Sequence, residues 1–255
     1  MNEQERYLFD LQGYLVVPNA LSQAEVNTLN AIMDDKIAEE VPPTATTHRF
    51  FGDLLAWGAA YQNLIDHPRL FPYLEALLGP NFRMDHDYAD IIRAGKGPIG
   101  TRLHGGAVPQ HPAFYYRCHN GEMRNGLMVV AYNLKDVNPG DGGFGCVPGS
   151  HKSNFAFPDE WRELETMHPF IQAVTGPAGT AIIFTEALTH GTLPWLGAER
   201  RTLFYKYSPC TLSWARDYYD ASRYPGLTPR QQAILEAPNA RYTPNATTRK
   251  NRDAD

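Results

Sequence analysis

Two of the nine histidines in this 255-residue chain stand out by context. His104 closes a strand-like run in Arg102-Leu103-His104-Gly105-Gly106. His190 follows the strand-like Thr180–Phe184 and leads into Gly191-Thr192. Imidazole is the commonest protein ligand for a transition metal. Arg201 opens a further strand run eleven residues after His190, so its side chain shares a sheet face with Leu203, Tyr205 and Tyr207. The other histidines carry no such context and read as surface or structural residues.

The rest of the chain must position these groups. Ser22 and Glu25 have capping-box spacing, and Val26, Leu29, Met33 and Ile37 recur at helical intervals, so Leu21–Glu40 reads as an amphipathic helix. A second helix is expected over Pro68–Leu78, with Asp66 as cap and Gly79-Pro80 as stop. From Phe82 short strand-like runs alternate with turns: Met84–Ala94, Gly100–Leu103, Leu127–Leu134, Ala173–Thr175, Ala181–Phe184 and Thr202–Tyr207. This is the texture of a jelly roll, mainly β with flanking α, the N-terminal helices packed on one sheet. A short helix over Pro229–Leu235 precedes a polar tail from about Thr243, and no internal linker appears, so residues 1–255 are read as one domain.

Composition narrows the class. Hydrophobic residues at 43% support a real core, and a net charge of −5 argues against a coat for nucleic-acid polymers or anionic membranes. No apolar run is long enough to span a bilayer, and the acidic opening MNEQERYLFD lacks the pattern of a secretory signal. The three cysteines, Cys118, Cys146 and Cys210, have no paired spacing, which fits a reducing cytoplasm.

The tract from Asp136-Val137-Asn138-Pro139-Gly140-Asp141-Gly142-Gly143-Phe144 to Pro148-Gly149-Ser150-His151-Lys152 resembles the central signature of the phytanoyl-CoA dioxygenase family. The opening Phe9-Asp10-Leu11-Gln12-Gly13-Tyr14-Leu15-Val16-Val17, and His190 with Arg201 behind it, resemble the same family over roughly residues 7–210. The resemblance implies a double-stranded β-helix (cupin-like) oxidoreductase using Fe(II), 2-oxoglutarate and O2. By family position His104 and His190 are the iron ligands, Arg201 and Thr192 hold 2-oxoglutarate, and Asn133 is a further cosubstrate candidate.

One departure decides the expected reaction. The family motif is His-x-Asp, but Gly106 stands at the third ligand, and no histidine in the chain is followed two residues later by Asp or Glu. In this the chain resembles the iron- and 2-oxoglutarate-dependent halogenases, where Gly or Ala replaces the carboxylate and chloride fills the position. The expectation is thus chlorination of an unactivated aliphatic carbon, with Gly106 making room for the halide. Two alternatives stand beside it: a hydroxylase drawing its carboxylate from Asp87, Asp90 or Asp141, and a member of the family that only binds. Gly105-Gly106 also has a purely structural reading, a tight backbone approach after a strand.

For the substrate, the loop Ala107–Arg124 interleaves aromatic and basic residues, and Tyr116, Arg117, Arg124, Lys152 and Asn154 are the candidate contacts. No carrier-protein docking patch is evident, which favours a freestanding small molecule. In size and motif the chain resembles the halogenases that act on a deoxyadenosine nucleotide, so a nucleotide sugar is one expected substrate.

Overall fold

A computed structural model describes residues 1–98, 100–106, 108, 112–164 and 168–241. In chain order its elements are α1 (Glu3–Gln12), β1 (Tyr14–Val17), α2 (Gln23–Glu40), β2 (Thr47–Phe51), α3 (Ala59–Gln62), α4 (Phe71–Leu78), β3 (Arg83–Ile92), β4 (Tyr116–His119), β5 (Glu122–Asn125), β6 (Met128–Asn133), β7 (Gly143–Cys146), β8 (Gln172–Ala173), β9 (Ala181–Thr185), β10 (His190–Leu193), β11 (Arg200–Ser208) and α5 (Pro229–Ile234). Six antiparallel strands form the major sheet in the order β1-β9-β6-β11-β3-β2. The minor sheet is β10-β7-β8, and β4-β5 is a separate hairpin. This is the expected mainly-β jelly roll with helices against one sheet. The polar tail from Thr243, and Ala107 and His111 in the 107–124 loop, lie outside the described residues.

Local sequence explains the helices. Ser22 and Glu25 cap α2 reciprocally, as their spacing predicts. Asn2 and Glu5 do the same for α1, a helix with no counterpart in the sequence expectations, and Gly13 ends it in the left-handed region at φ 85°. The second expected helix starts later, as α4 at Phe71, because a tight turn with Leu70 N–H bonded to the His67 carbonyl precedes it. Asp66 caps nothing there; it receives the Gln231 amide at 2.9 Å. The expected strand Gly100–Leu103 does not form; only a single bridge joins Arg102 to Glu163, and the next, just beyond the range, joins His104 to His190.

The major sheet has two different faces because side chains alternate along each strand. One face carries Met128, Val130, Tyr132, Leu203, Tyr205 and Tyr207, buried with Phe9, Leu29, Met33, Tyr61 and Leu74 of the helical layer. The other carries Val129, Ala131, Phe184 and Phe204, which meet Phe144 and Cys146 of the minor sheet. That second face is the inside of the barrel, and it positions the site. Among the described residues no helix is long and apolar enough to cross a membrane.

Candidate active site

His104 and His190 meet at one end of the barrel. Their backbones pair as an isolated bridge, His104 N–H to the His190 carbonyl at 2.7 Å and the reverse at 2.9 Å. Their ring centroids are 4.3 Å apart. His190 Nδ1 bonds the Leu188 carbonyl at 2.7 Å, and His104 Nδ1 lies 3.4 Å from the Arg102 carbonyl. Each ring is thus anchored through Nδ1, which leaves Nε2 for a ligand role. Burial, reinforced by the His104 imidazole, pushes His190 down to about 3. Burial also lowers His104. Both shifts favour the neutral imidazole, the form that binds a metal.

A charged pair stands beside them. Glu186 lies in the turn between β9 and β10 and is 3% exposed. Its Oε1 accepts from Lys206 Nζ at 2.5 Å, and its Oε2 is 3.9 Å from His190 Nε2. Burial alone would raise this carboxyl, but the Lys206 ammonium outweighs it and holds Glu186 at about 2. Among the described residues no group of three His, Cys, Asp or Glu side chains stands, as the side chains lie, where it could hold a metal ion.

The arginine expectation needs correction. Arg201 shares a face with Leu203, Tyr205 and Tyr207 as expected, but that face is the one covered by helices. There Arg201 binds Asp34 of α2 and Glu199, both at 2.7 Å, and reaches Asn30 at 3.1 Å. Arg200 has the opposite parity and is 2% exposed on the barrel side, where a Cβ on Gly143 would lie 3.4 Å from its Nε. Arg200 Nε and Nη1 and the Oγ1 atoms of Thr202 and Thr180 are buried without a hydrogen-bond partner. Asn133 pairs with Thr202 across β6 and β11 and is buried. Thr192 lies two residues beyond His190 on the same strand face. The interior thus holds a guanidinium and hydroxyls matched to a carboxylate.

Gly105 and Gly106 do not form an open pocket between the rings. A Cβ on Gly105 would sit 2.6 Å from the Leu188 carbonyl oxygen and 2.8 Å from that of Glu186, so the tight-approach reading holds there. Gly106 has φ +99°, and its Cβ would meet Thr189 Oγ1 at 3.1 Å. Thr189 and Gly106 line a separate hollow of about 450 Å³ with Val147, Ser150 and Phe155. The carboxylates weighed from sequence are engaged elsewhere. Asp90 binds Arg49 through two 2.6 Å bonds. Asp87 accepts from Leu54 N–H and the Tyr219 hydroxyl, and Asp141 caps Asn138.

The cavity that reaches His104 has a volume of about 570 Å³ and is lined by His104, Glu186, Lys206, Tyr88, Arg49 and Trp214, among others. Its inner wall is layered: the Arg49 guanidinium lies 4.3 Å from the Tyr88 ring centre, and Tyr88 stacks on Phe204 at 4.6 Å. Its outer wall is the segment after β11, where Trp214 stacks on His86 at 4.8 Å. Asp85 fixes that wall by accepting the Trp214 and Ala215 N–H groups, both at 2.9 Å.

The five expected substrate contacts lie elsewhere. Tyr116 and Lys152 converge on Asp10 of α1, Arg117 lies over Tyr115, and Asn154 is exposed. Arg124 lines a different groove with Arg6 and Tyr115. Lys206 was the missed signal, a charged residue in an otherwise apolar strand run.

The sequence pattern of the family described as phytanoyl-CoA dioxygenase (PhyH) matches residues 9–203. No curated protein matches significantly. Among solved structures, HygX from Streptomyces hygroscopicus with nickel and 2-oxoglutarate bound is similar at a TM-score of 0.74 and 22% identity, over 85% of this chain and 90% of that one. HygX with nickel, 2-oxoglutarate and hygromycin B bound gives 0.71 and 23% over the same shares. At this identity the likeness is one of fold.

Proposed function

The chain belongs to the phytanoyl-CoA dioxygenase family, and from that premise we propose that it is an iron(II)- and 2-oxoglutarate-dependent enzyme oxidising an aliphatic carbon of a freestanding small molecule. The observation that carries this reading is the conjunction of two anchored imidazoles, biased by burial to the neutral form, with unsatisfied Arg200 and Thr202 atoms inside one barrel. His104 and His190 would hold the iron through Nε2. Arg200, Thr202, Asn133 and Thr192 would take the far carboxylate of 2-oxoglutarate, whose oxygens satisfy those buried donors. Both HygX complexes cited above carry 2-oxoglutarate, which supports the same cosubstrate here. When bound, iron and 2-oxoglutarate supply the oxidising power by activating O2, with succinate and carbon dioxide as by-products.

The chain's own side chains set where that power is applied. Phe184 and Phe144 pack against the His190 ring, and Lys206 holds Glu186 ionised beside it. Tyr88, His86 and Trp214 offer flat faces, and the charged lining is mixed, Arg216 and Arg223 standing with Asp53, Asp85, Asp87 and Asp217 while Arg49 is paired with Asp90. Such walls suit a flat ring carrying polar groups.

A second reading, chlorination with chloride on the metal, is favoured by the absence of a side chain at Gly106. The two separate by product: chlorination needs chloride and adds chlorine mass, whereas hydroxylation is indifferent to the halide. The proposal itself is tested without substrate. Anaerobic titration of 2-oxoglutarate into the Fe(II)-loaded protein should produce a visible charge-transfer band that H190A and R200A lack. A wild-type protein that develops no such band refutes the assignment.

A further inference from the structure

We propose that Glu186 is the carboxylate that joins His104 and His190 around the metal, replacing the ligand that position 106 lacks. This deepens the iron-binding reading and rests on it. Glu186 stands four residues before His190, lines the same cavity as His104, and turns Oε2 toward His190 Nε2 at 3.9 Å. Metal bonds of ~2.1 Å bring two adjacent donors to ~3 Å and two opposed donors to ~4.2 Å. Ligands on one face are all adjacent, so Oε2 and His190 Nε2 must close by about 1 Å from the observed 3.9 Å for the three groups to share a cation.

The surrounding backbone is built around this turn. Gly106 N–H donates to the Glu186 carbonyl at 3.3 Å, and Gly105 packs where any Cβ would strike the Glu186 and Leu188 oxygens. The His104-Gly105-Gly106 segment therefore folds over residues 186–190, which places His104, Glu186 and His190 on one side. A side chain at 106 would be directed to Thr189 instead. Lys206 engages only Oε1, so Oε2 is left for the cation while the ammonium balances the buried charge. Two imidazoles and one carboxylate on one face leave three positions open. That set leaves chloride no missing side-chain anion to replace, and it directs the enzyme to oxygen transfer.

The test is a Co(II) titration of the full chain, read by visible absorption and by thermal shift. Wild type should saturate, and E186Q should bind about tenfold more weakly or worse. Because E186Q strands the buried Lys206, the double variant E186Q/K206M carries the same expectation with the charge removed. Binding within twofold of wild type in a folded E186Q or E186Q/K206M overturns Glu186 as a ligand. If wild type and H190A bind Co(II) alike, the metal reading itself fails, whatever the Glu186 variants do.

Discussion

Arg200 and Arg201 are neighbours in sequence and stand on opposite faces of β11, one inside the barrel and one clamped to α2 by Asp34. Their substitutions should therefore separate cleanly. R200A should weaken 2-oxoglutarate binding by ~100-fold, the scale of losing a buried charge-assisted pair, with folding retained. R201A should leave 2-oxoglutarate affinity alone and cost about 1 kcal/mol of stability. Isothermal titration and chemical denaturation of both variants check this. A cosubstrate defect in R201A and none in R200A would reverse the assignment.

The ring pair predicts a metal-linked stability. Adding Fe(II) or Co(II) anaerobically should raise the wild-type melting temperature, since a ligand bound only by the native state stabilises it. H104A and H190A should lose that shift. Equal shifts in wild type and both variants would move the cation away from these rings.

Gly105 predicts a steric cost that differs from ordinary glycine replacement. Both Gly105 and Gly52 have positive φ, but a Cβ on Gly52 meets nothing within 4 Å whereas one on Gly105 strikes two backbone oxygens. G52A should cost ~1 kcal/mol from the left-handed backbone alone. G105A should cost roughly 3 kcal/mol or more, because backbone cannot yield as a flexible side chain does. Urea denaturation of the pair measures the difference, and equal costs would mean that the segment does not pack tightly on residues 186–190.

The cavity wall also predicts a pH effect. Burial pushes Asp87 up to about 6 against the hydrogen bonds it accepts from Leu54 and Tyr219. The folded protein thus holds this proton more tightly than the unfolded chain, whose carboxyl titrates at ~3.9. Asp87 contributes full stability below the unfolded value and loses that contribution as pH rises through about 6, a swing of order 3 kcal/mol. Denaturation of D87N between pH 4 and 7 should show the fall flattened relative to wild type. Parallel profiles would assign the pH dependence to another group.

Much of this architecture is legible in the residues. The capping box at Ser22 and Glu25, the strand texture after Phe82 and the tract around Asp136–Lys152 carry the fold. His104 and His190 are legible because each sits at the edge of a strand run. The place of Arg200 is not, because Leu203, Tyr205 and Tyr207 look like pocket aromatics, while the helices that cover them are fixed only by tertiary packing. Both faces of β11 are buried, so alternation alone does not say which one lines the barrel interior. Glu186 is hidden for a similar reason: only the turn and the Gly-Gly segment folded over it bring the carboxylate to the rings. The outer wall of the cavity depends on Asp85 catching the backbone at Trp214 and Ala215, a closure across about 130 residues that no local pattern marks.

The left-handed backbone at Gly106 has a corollary for redesign. With φ at +99° and Thr189 Oγ1 3.1 Å from the Cβ direction, an aspartate placed there would be both strained and misdirected. Grafting the family's His-x-Asp spacing onto this chain by that single exchange would therefore not deliver a carboxylate to the imidazoles.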